Sequence, residues 1–266
     1  MGLTMIILAS IIGFFTINYI FLYLQEMPYS RFGRSLVIHS MFAGFLFPHR
    51  MIRVSMAYIF SIPFTCDNEI KYLAIYNEGG RKNIQPIGGV YEFYKSERIK
   101  PLLNINPISD YGNTHVTKQE NIENDLRIKF KIKYFKTFIK WFDSGVGREI
   151  NIFREFKEEL IDSNILEKNK FNYQDIMIRK EKSLDCYYGK IDHNKYGFRH
   201  FDIFQIDMTS KLQNYIMQVA EDNMKINNMD TIRLVLISAE DIINGFVNLS
   251  GFEVPISEHT KFLIKA

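Results

Sequence analysis

The chain has 266 residues, 47% hydrophobic and 15% aromatic, which is enough for one ordinary domain core with something smaller beside it. Its net charge of +3 gives no argument for nucleic acid, and Cys66 and Cys186 fit no metal or redox spacing, as expected of two thiols in a reducing compartment. No repeat of fixed period and no long Pro/Gly/Ser linker divides it. The 23 Phe and 15 Tyr favour an aromatic-rich sheet or a part that touches membrane.

Residues 3–24 carry no charge and only Thr, Ser and Asn as polar interruptions. At about 1.5 Å per residue that run crosses a hydrocarbon core of roughly 30 Å. A cleaved leader is disfavoured, because no basic segment precedes the run and no small-x-small site follows it. Tyr19 and Tyr23 suit an interfacial anchor. A polar turn at 25–34 leads to a second apolar run at 35–47, short for a span unless it is extended back to residue 33 with Arg34 snorkelling. We read 1–50 as a transmembrane region with helices at about 3–24 and 33–48; an interfacial or core helix is the alternative for the second. Arg50 and Arg53 place both termini on the cytoplasmic side, although Arg31 and Arg34 in the turn weaken that vote.

From residue 51 to 266 the pattern is that of a separate domain. Residues 53–62 read as a strand, 63–69 as a turn and 70–76 as a second strand, together a hairpin. A turn at 78–81 precedes 84–93, where Pro86, Gly88 and Gly89 let backbone approach a ligand or a neighbouring strand closely. Residues 104–124 are polar and turn-rich, as in a loop. Arg127, Lys129, Lys131 and Lys133 then alternate with Ile128, Phe130, Ile132 and Tyr134, giving a strand with one basic face. Such a row can meet phosphates; the plainer reading is a solvated edge strand protected against pairing. Residues 138–142, with Trp141 and Phe142 in sequence, lead into a glycine turn at 144–147.

The stretch 145–162 carries a helical period after the glycine turn. Ile152, Phe156 and Leu160 fall on one face at i, i+4, i+8, while Glu155, Glu158 and Glu159 gather on another. Like charges at that spacing repel by a few tenths of a kcal/mol, and a hard divalent cation with its preference for oxygen would remove the conflict. Arg154 is placed to orient one of the carboxylates. Beyond it, 175–180 and 201–207 read as strands joined by a polar connection at 181–199. His193 and His200 lie in or beside that connection without metal spacing, so solvated or hydrogen-bonded histidines are expected. Helix is expected at 211–223, strand at 231–237, a short helix from Ala239 and a last helix at 256–264. The alternation gives an α/β (α+β) sandwich with helices flanking a mixed sheet.

The segment 154–159, Arg-Glu-Phe-Lys-Glu-Glu, resembles the core of the Nudix box, G-x5-E-x7-R-E-U-x-E-E-x-G-U, with Phe156 at the aliphatic position U. Two positions depart from it: the glutamate eight residues before Arg154 is Val146, with Glu149 nearby, and the glycine after the glutamates is Ile161. Pro86-x-Gly88-Gly89 upstream is in the family's order, separated from the helix by more than fifty residues instead of a short loop. Together with the basic strand, the Trp-Phe pair and the membrane segment, the chain resembles the SMODS-associated Nudix family along nearly its whole length.

The resemblance implies a membrane effector of a bacterial anti-phage (CBASS) system at the inner membrane, with the Nudix-like domain cytoplasmic. A partner nucleotidyltransferase would make a cyclic oligonucleotide, the domain would bind it, and assembly of several chains would let the membrane part disrupt the bilayer and kill the infected cell. Ala9, Ser10, Gly13, Ala43 and Gly44 would allow close packing of membrane helices. On this reading Gly88, Gly89, Arg148 and Arg154 contact the ligand, and no DNA or protein partner is indicated. The other expectation is a membrane-anchored, Mg2+-dependent hydrolase of a nucleoside diphosphate derivative, with Glu155, Glu158 and Glu159 on the metal and Arg154 beside them. A degenerate scaffold used only for oligomerisation is the third. The incomplete box favours binding over hydrolysis.

Overall fold

The computed structural model describes residues 48–66, 68–77, 82–94, 106–107, 125–188, 197–225, 233–249 and 251–264. The expected membrane helices therefore lie outside the described residues, save for position 48, as do His193 and most of the loop at 104–124. Among the described residues no helix is long and apolar enough to cross a membrane.

The larger sheet is built on β1 (Met51–Ser61). Its first half alternates half-buried and buried residues, and from Met56 onward every residue is buried, so both faces of that half are covered. β1 pairs in parallel with β9 (Gly197–Met208), which pairs antiparallel with β8 (Ile176–Tyr188). On its other side β1 meets β7 (Arg127–Lys131) and then β5 (Gly88–Val90), both antiparallel, and the two-residue β6 (Asn106–Pro107) lies outside β7. A second sheet centres on β3 (Glu69–Asn77), flanked by β10 (Leu234–Ser238), β2 (Pro63–Cys66) and β4 (Asn83–Pro86). A hairpin of β11 (Phe246–Leu249) and β12 (Phe252–Pro255) completes the strands. The described residues form a mixed, sheet-and-helix α/β fold, as the alternation predicts.

Helices cover the face of the large sheet that carries Tyr58 and Phe60. α1 (Phe135–Ser144) buries Phe135, Phe138 and Phe142 and ends at left-handed Gly145. Its rings meet the sheet edge-on or tilted, Phe135 on Phe198 at 4.9 Å and Phe138 on Phe130 at 5.2 Å. α2 (Phe153–Phe156) runs on as a π-helical turn through Lys157–Asp162 and sets Phe156 against Phe60 at 6.0 Å. α3 (Ser210–Met224) buries Leu212, Ile216 and Ala220 at i, i+4, i+8. α4 (Ala239–Asn244) is capped by Ser238, whose side chain and Asp241 exchange hydrogen bonds in a capping box.

Five expectations are corrected. The strands at 53–62 and 70–76 do not form a hairpin with each other: only Ile62 separates β1 from β2, and the chain changes sheets there. The stretch read as a turn, 63–69, supplies β2, which pairs with β3 as an edge strand where Pro63 is tolerated. The polar connection read at 181–199 is mostly strand, because a long hairpin open to water on one face carries polar residues at alternate positions; Glu181 marks a bulge. The basic strand stops at Lys131, where a 3-10 turn at Ile132–Tyr134 feeds α1. The helix expected directly after the 144–147 turn begins only at Phe153, since the chain first crosses to the strands: Arg148 bridges to Phe93 and the Glu149 N–H donates to the Glu92 carbonyl at 2.7 Å.

Candidate functional site

The glutamate helix lies directly on the Gly88–Gly89 strand. Gly88 has φ +152°, and a methyl group there would overlap the Tyr58 carbonyl and stand 2.9 Å from Ile59 Cα. Its N–H donates to Glu159 Oε2 at 3.0 Å. At Gly89 the space of a Cβ is filled by the Glu155 side chain. Hydrogen in place of a side chain thus lets two of the three glutamates reach the strand. The π-helical turn adds a residue to the helical repeat, and the Ser163 N–H donates to the Glu158 carbonyl at 3.2 Å. That widening lets Leu160 and Ile161 both be buried while Glu158 and Glu159 keep separate directions.

Arg154 joins the carboxylates. Its Nε lies 3.0 Å from Glu149 Oε1, and Nη1 lies 3.1 Å from Glu158 and 3.4 Å from Glu92. Nη2 reaches Glu155 at 3.1 Å and donates to the Val90 carbonyl at 3.2 Å. Burial alone would lower the guanidinium pKa; Glu149 and Glu155 reverse that and raise it. Glu149 is fully buried, with the Tyr58 hydroxyl donating to it at 3.5 Å. Burial raises its pKa against the pull of Arg154. Glu155 is pushed up to about 7 by burial and by the charges of Glu158, Glu149 and Asp125, with Arg154 opposing. Glu159 is raised well above the usual range by burial, which the hydrogen bond from the Gly88 N–H opposes. Arg148 stands over the Phe142 ring at 3.9 Å and donates to the carbonyls of Phe142 and Glu149 at 2.6 and 2.7 Å. Of the expected site residues, Gly88, Gly89, Arg154, Glu155, Glu158 and Glu159 come together, and Arg148 supports them from one side. Glu149 and Glu92 are site members that no spacing in the sequence reveals; both pair with Arg154.

Over residues 51–264 the chain matches the family model of the SMODS-associated NUDIX domain. The chain belongs to this family. No curated protein matches it. The solved structure of C. elegans Ap4A hydrolase is similar at 11% identity over 79% of this chain and 92% of that one, with a TM-score of 0.28, too low to carry an argument.

For the SMODS-associated Nudix domain the donor chemistry suits the magnesium that such folds generally use: three carboxylates, two of them half-buried with pKa values raised by desolvation. Among the described residues, however, no three acidic, histidine or cysteine side chains converge on one point. Arg154 instead bridges Glu155 and Glu158.

A second polar cluster lies across the same Nudix sheet face. His200 Nδ1 is 2.7 Å from Asp185 and its Nε2 is 3.0 Å from Asp202. Asp202 also accepts from Tyr91 at 2.7 Å, Ser183 at 2.6 Å and Lys180 at 2.6 Å. Of the solvated and hydrogen-bonded alternatives expected for His200, the structure shows the hydrogen-bonded one and adds its partners. Burial would lower the His200 pKa, but the two aspartates outweigh it and lift it to about 9. A histidine raised above its unfolded value of about 6.5 contributes stability that is whole below that pH and is lost as pH climbs through 9. Chemical denaturation of the chain between pH 6.5 and 9 is therefore expected to show falling stability, and His200→Gln to flatten that slope; an unchanged slope in the variant would place the titration elsewhere.

Proposed function

We propose that this chain is a membrane-anchored effector of a CBASS-type anti-phage system. Its Nudix domain binds a cyclic oligonucleotide from a partner nucleotidyltransferase, and homo-oligomeric assembly then lets residues 1–50 disrupt the bacterial inner membrane. Family membership supports the defence setting. The observation that carries binding over hydrolysis is the position of Arg154: the protein's own guanidinium lies between the carboxylates that a hydrolytic metal would need to share. Ligand drives the change only by binding the assembled state better than the resting one.

The partial burial of Glu155 and Glu159 favours a second reading, a Mg2+-dependent hydrolase of a nucleoside diphosphate derivative. Glu155, Glu158 and Glu159 would hold the ion, which when bound polarises a phosphoanhydride and activates water. The chain's own part is to hold these carboxylates against the Gly88–Gly89 strand and to keep Glu149 ionised through Arg154.

Thermal unfolding of the full chain against cyclic di- and trinucleotides, with and without Mg2+, separates the two. A ligand bound by the folded state alone adds about 2.7 kcal/mol at a hundred times its dissociation constant. The sensor predicts such a shift with one cyclic species, recovered intact, and retained in Glu158→Gln. Stabilisation only by linear diphosphate nucleotides with Mg2+, or cleavage that Glu158→Gln abolishes, would establish the hydrolase instead.

A further inference from the structure

The charge of this protein is unevenly placed. From Leu126 to Phe142 the chain carries Arg127, Lys129, Lys131, Lys133, Lys136 and Lys140 and no acidic residue, whereas all 266 residues together net only +3. Lys133, Lys136 and Lys140 are exposed and follow one another at helical spacing, on the opposite side of the 3-10 turn and α1 from the buried Phe135, Phe138 and Phe142. Asp125 pairs with Arg127 at 3.3 Å, at the end of β7 away from these lysines.

The place of the patch gives it meaning. Met51 pairs with Lys131, and the Ile132 N–H donates to the Arg50 carbonyl at 2.8 Å, so α1 starts beside the point where the domain joins residues 1–50. Arg53, across from Lys129, buries its Nε with no hydrogen-bond partner among the described residues. Residues 48–50 can span about 10 Å at most. That equals roughly one Debye length at physiological salt, the distance over which an anionic bilayer attracts lysine.

We propose that the exposed side of the 3-10 turn and α1, lined by Lys133, Lys136 and Lys140, rests on anionic phospholipid headgroups and fixes the domain's orientation against the membrane. This rests on the reading of residues 1–50 as a membrane anchor. Lysines are point charges without the fork that recognises one phosphate geometry, so a row of them suits a fluid headgroup layer. A second copy applied through the same patch would set like charges against each other.

Trp141 is the only tryptophan in the chain and sits next to Lys140 on α1. The full chain, reconstituted in vesicles carrying a dansyl-headgroup lipid, provides the test through energy transfer from Trp141. Transfer is expected to be stronger with phosphatidylglycerol present than in pure phosphatidylcholine, to weaken in high salt, and to fall in K133Q/K136Q/K140Q. Equal transfer in both lipids, or no response to the triple substitution, would overturn the proposal, as would loss of transfer to inorganic pyrophosphate at matched ionic strength, which would mark a soluble-phosphate site. Alkaline carbonate extraction tests the anchor separately: if the chain is extracted, co-flotation of the full chain with phosphatidylglycerol vesicles at low salt still decides the patch, by binding in the native chain and loss in the triple variant.

Discussion

Arg154→Ala is expected to destabilise the fold by about 3–5 kcal/mol, the usual consequence of stranding a buried charge. Glu149 is fully buried, and Arg154 is the cation within reach of it in the structure, as it is for Glu155, Glu158 and Glu92. Arg154→Lys keeps the charge but not the fork that serves four carboxylates and a carbonyl, so it should fall between the two. Replacing Glu149 and Arg154 together with methionine should recover the part of the loss due to Glu149, the fully buried partner, and leave the part due to Glu92, Glu155 and Glu158. Urea denaturation of the four proteins measures this; a cost below about 1 kcal/mol for Arg154→Ala would mean that Glu149 finds water or takes a proton cheaply. The pH dependence sharpens the test. Glu149 and Glu155 have folded-state pKa values above the ordinary carboxylate value, Glu155 at about 7. Their contribution to stability is therefore whole below about 4.5 and is lost as pH rises toward 7. Without Arg154 that decline should be steeper.

Gly88→Ala and Gly89→Ala are expected to differ in kind. At Gly88 a methyl group overlaps backbone, the Tyr58 carbonyl, on the strand to which Gly88 is paired, and φ +152° is itself strained for an L side chain. Strain and overpacking together cost roughly 2–5 kcal/mol, read as a lower unfolding midpoint. At Gly89 the methyl group meets only the Glu155 side chain, which can swing away. That variant should keep most of its stability while losing the carboxylate arrangement, seen as altered nucleotide or Mg2+ binding. If both substitutions lower the midpoint equally, the Gly89 contact is part of the core and not of a site.

The glutamate helix was legible because its signal is local. Ile152, Phe156 and Leu160 are all buried as their period requires, and Glu155, Glu158 and Glu159 share the other side. Glu149 was not legible as a partner of Arg154: the loop that carries it bends back to Phe93, and no spacing rule reports such a return. The π-helical turn was equally invisible, because the chain's preference for it shows only in the paired burial of Leu160 and Ile161. Residues 53–62 read as a strand from sequence, but their partners do not follow from it, since pairing depends on segments far away in the chain. Polar residues on β8 looked like a loop for a related reason: an exposed strand face and a loop have the same composition, and only the register with β9 separates them.

That register between distant segments also governs how the protein is made. β1 is the central strand of the large sheet, yet its parallel neighbour begins at Gly197, which pairs with Arg53 across roughly 140 residues of chain. At the usual rate of translation this leaves β1 without its full set of partners for on the order of ten seconds. Its apolar side chains and unpaired edge are open to chaperones and to other nascent chains during that time, and closing so long a loop makes folding slow. Parallel pairing thus ties assembly of the Gly88–Gly89 and glutamate-helix site to a late step of synthesis, after β9 has left the ribosome.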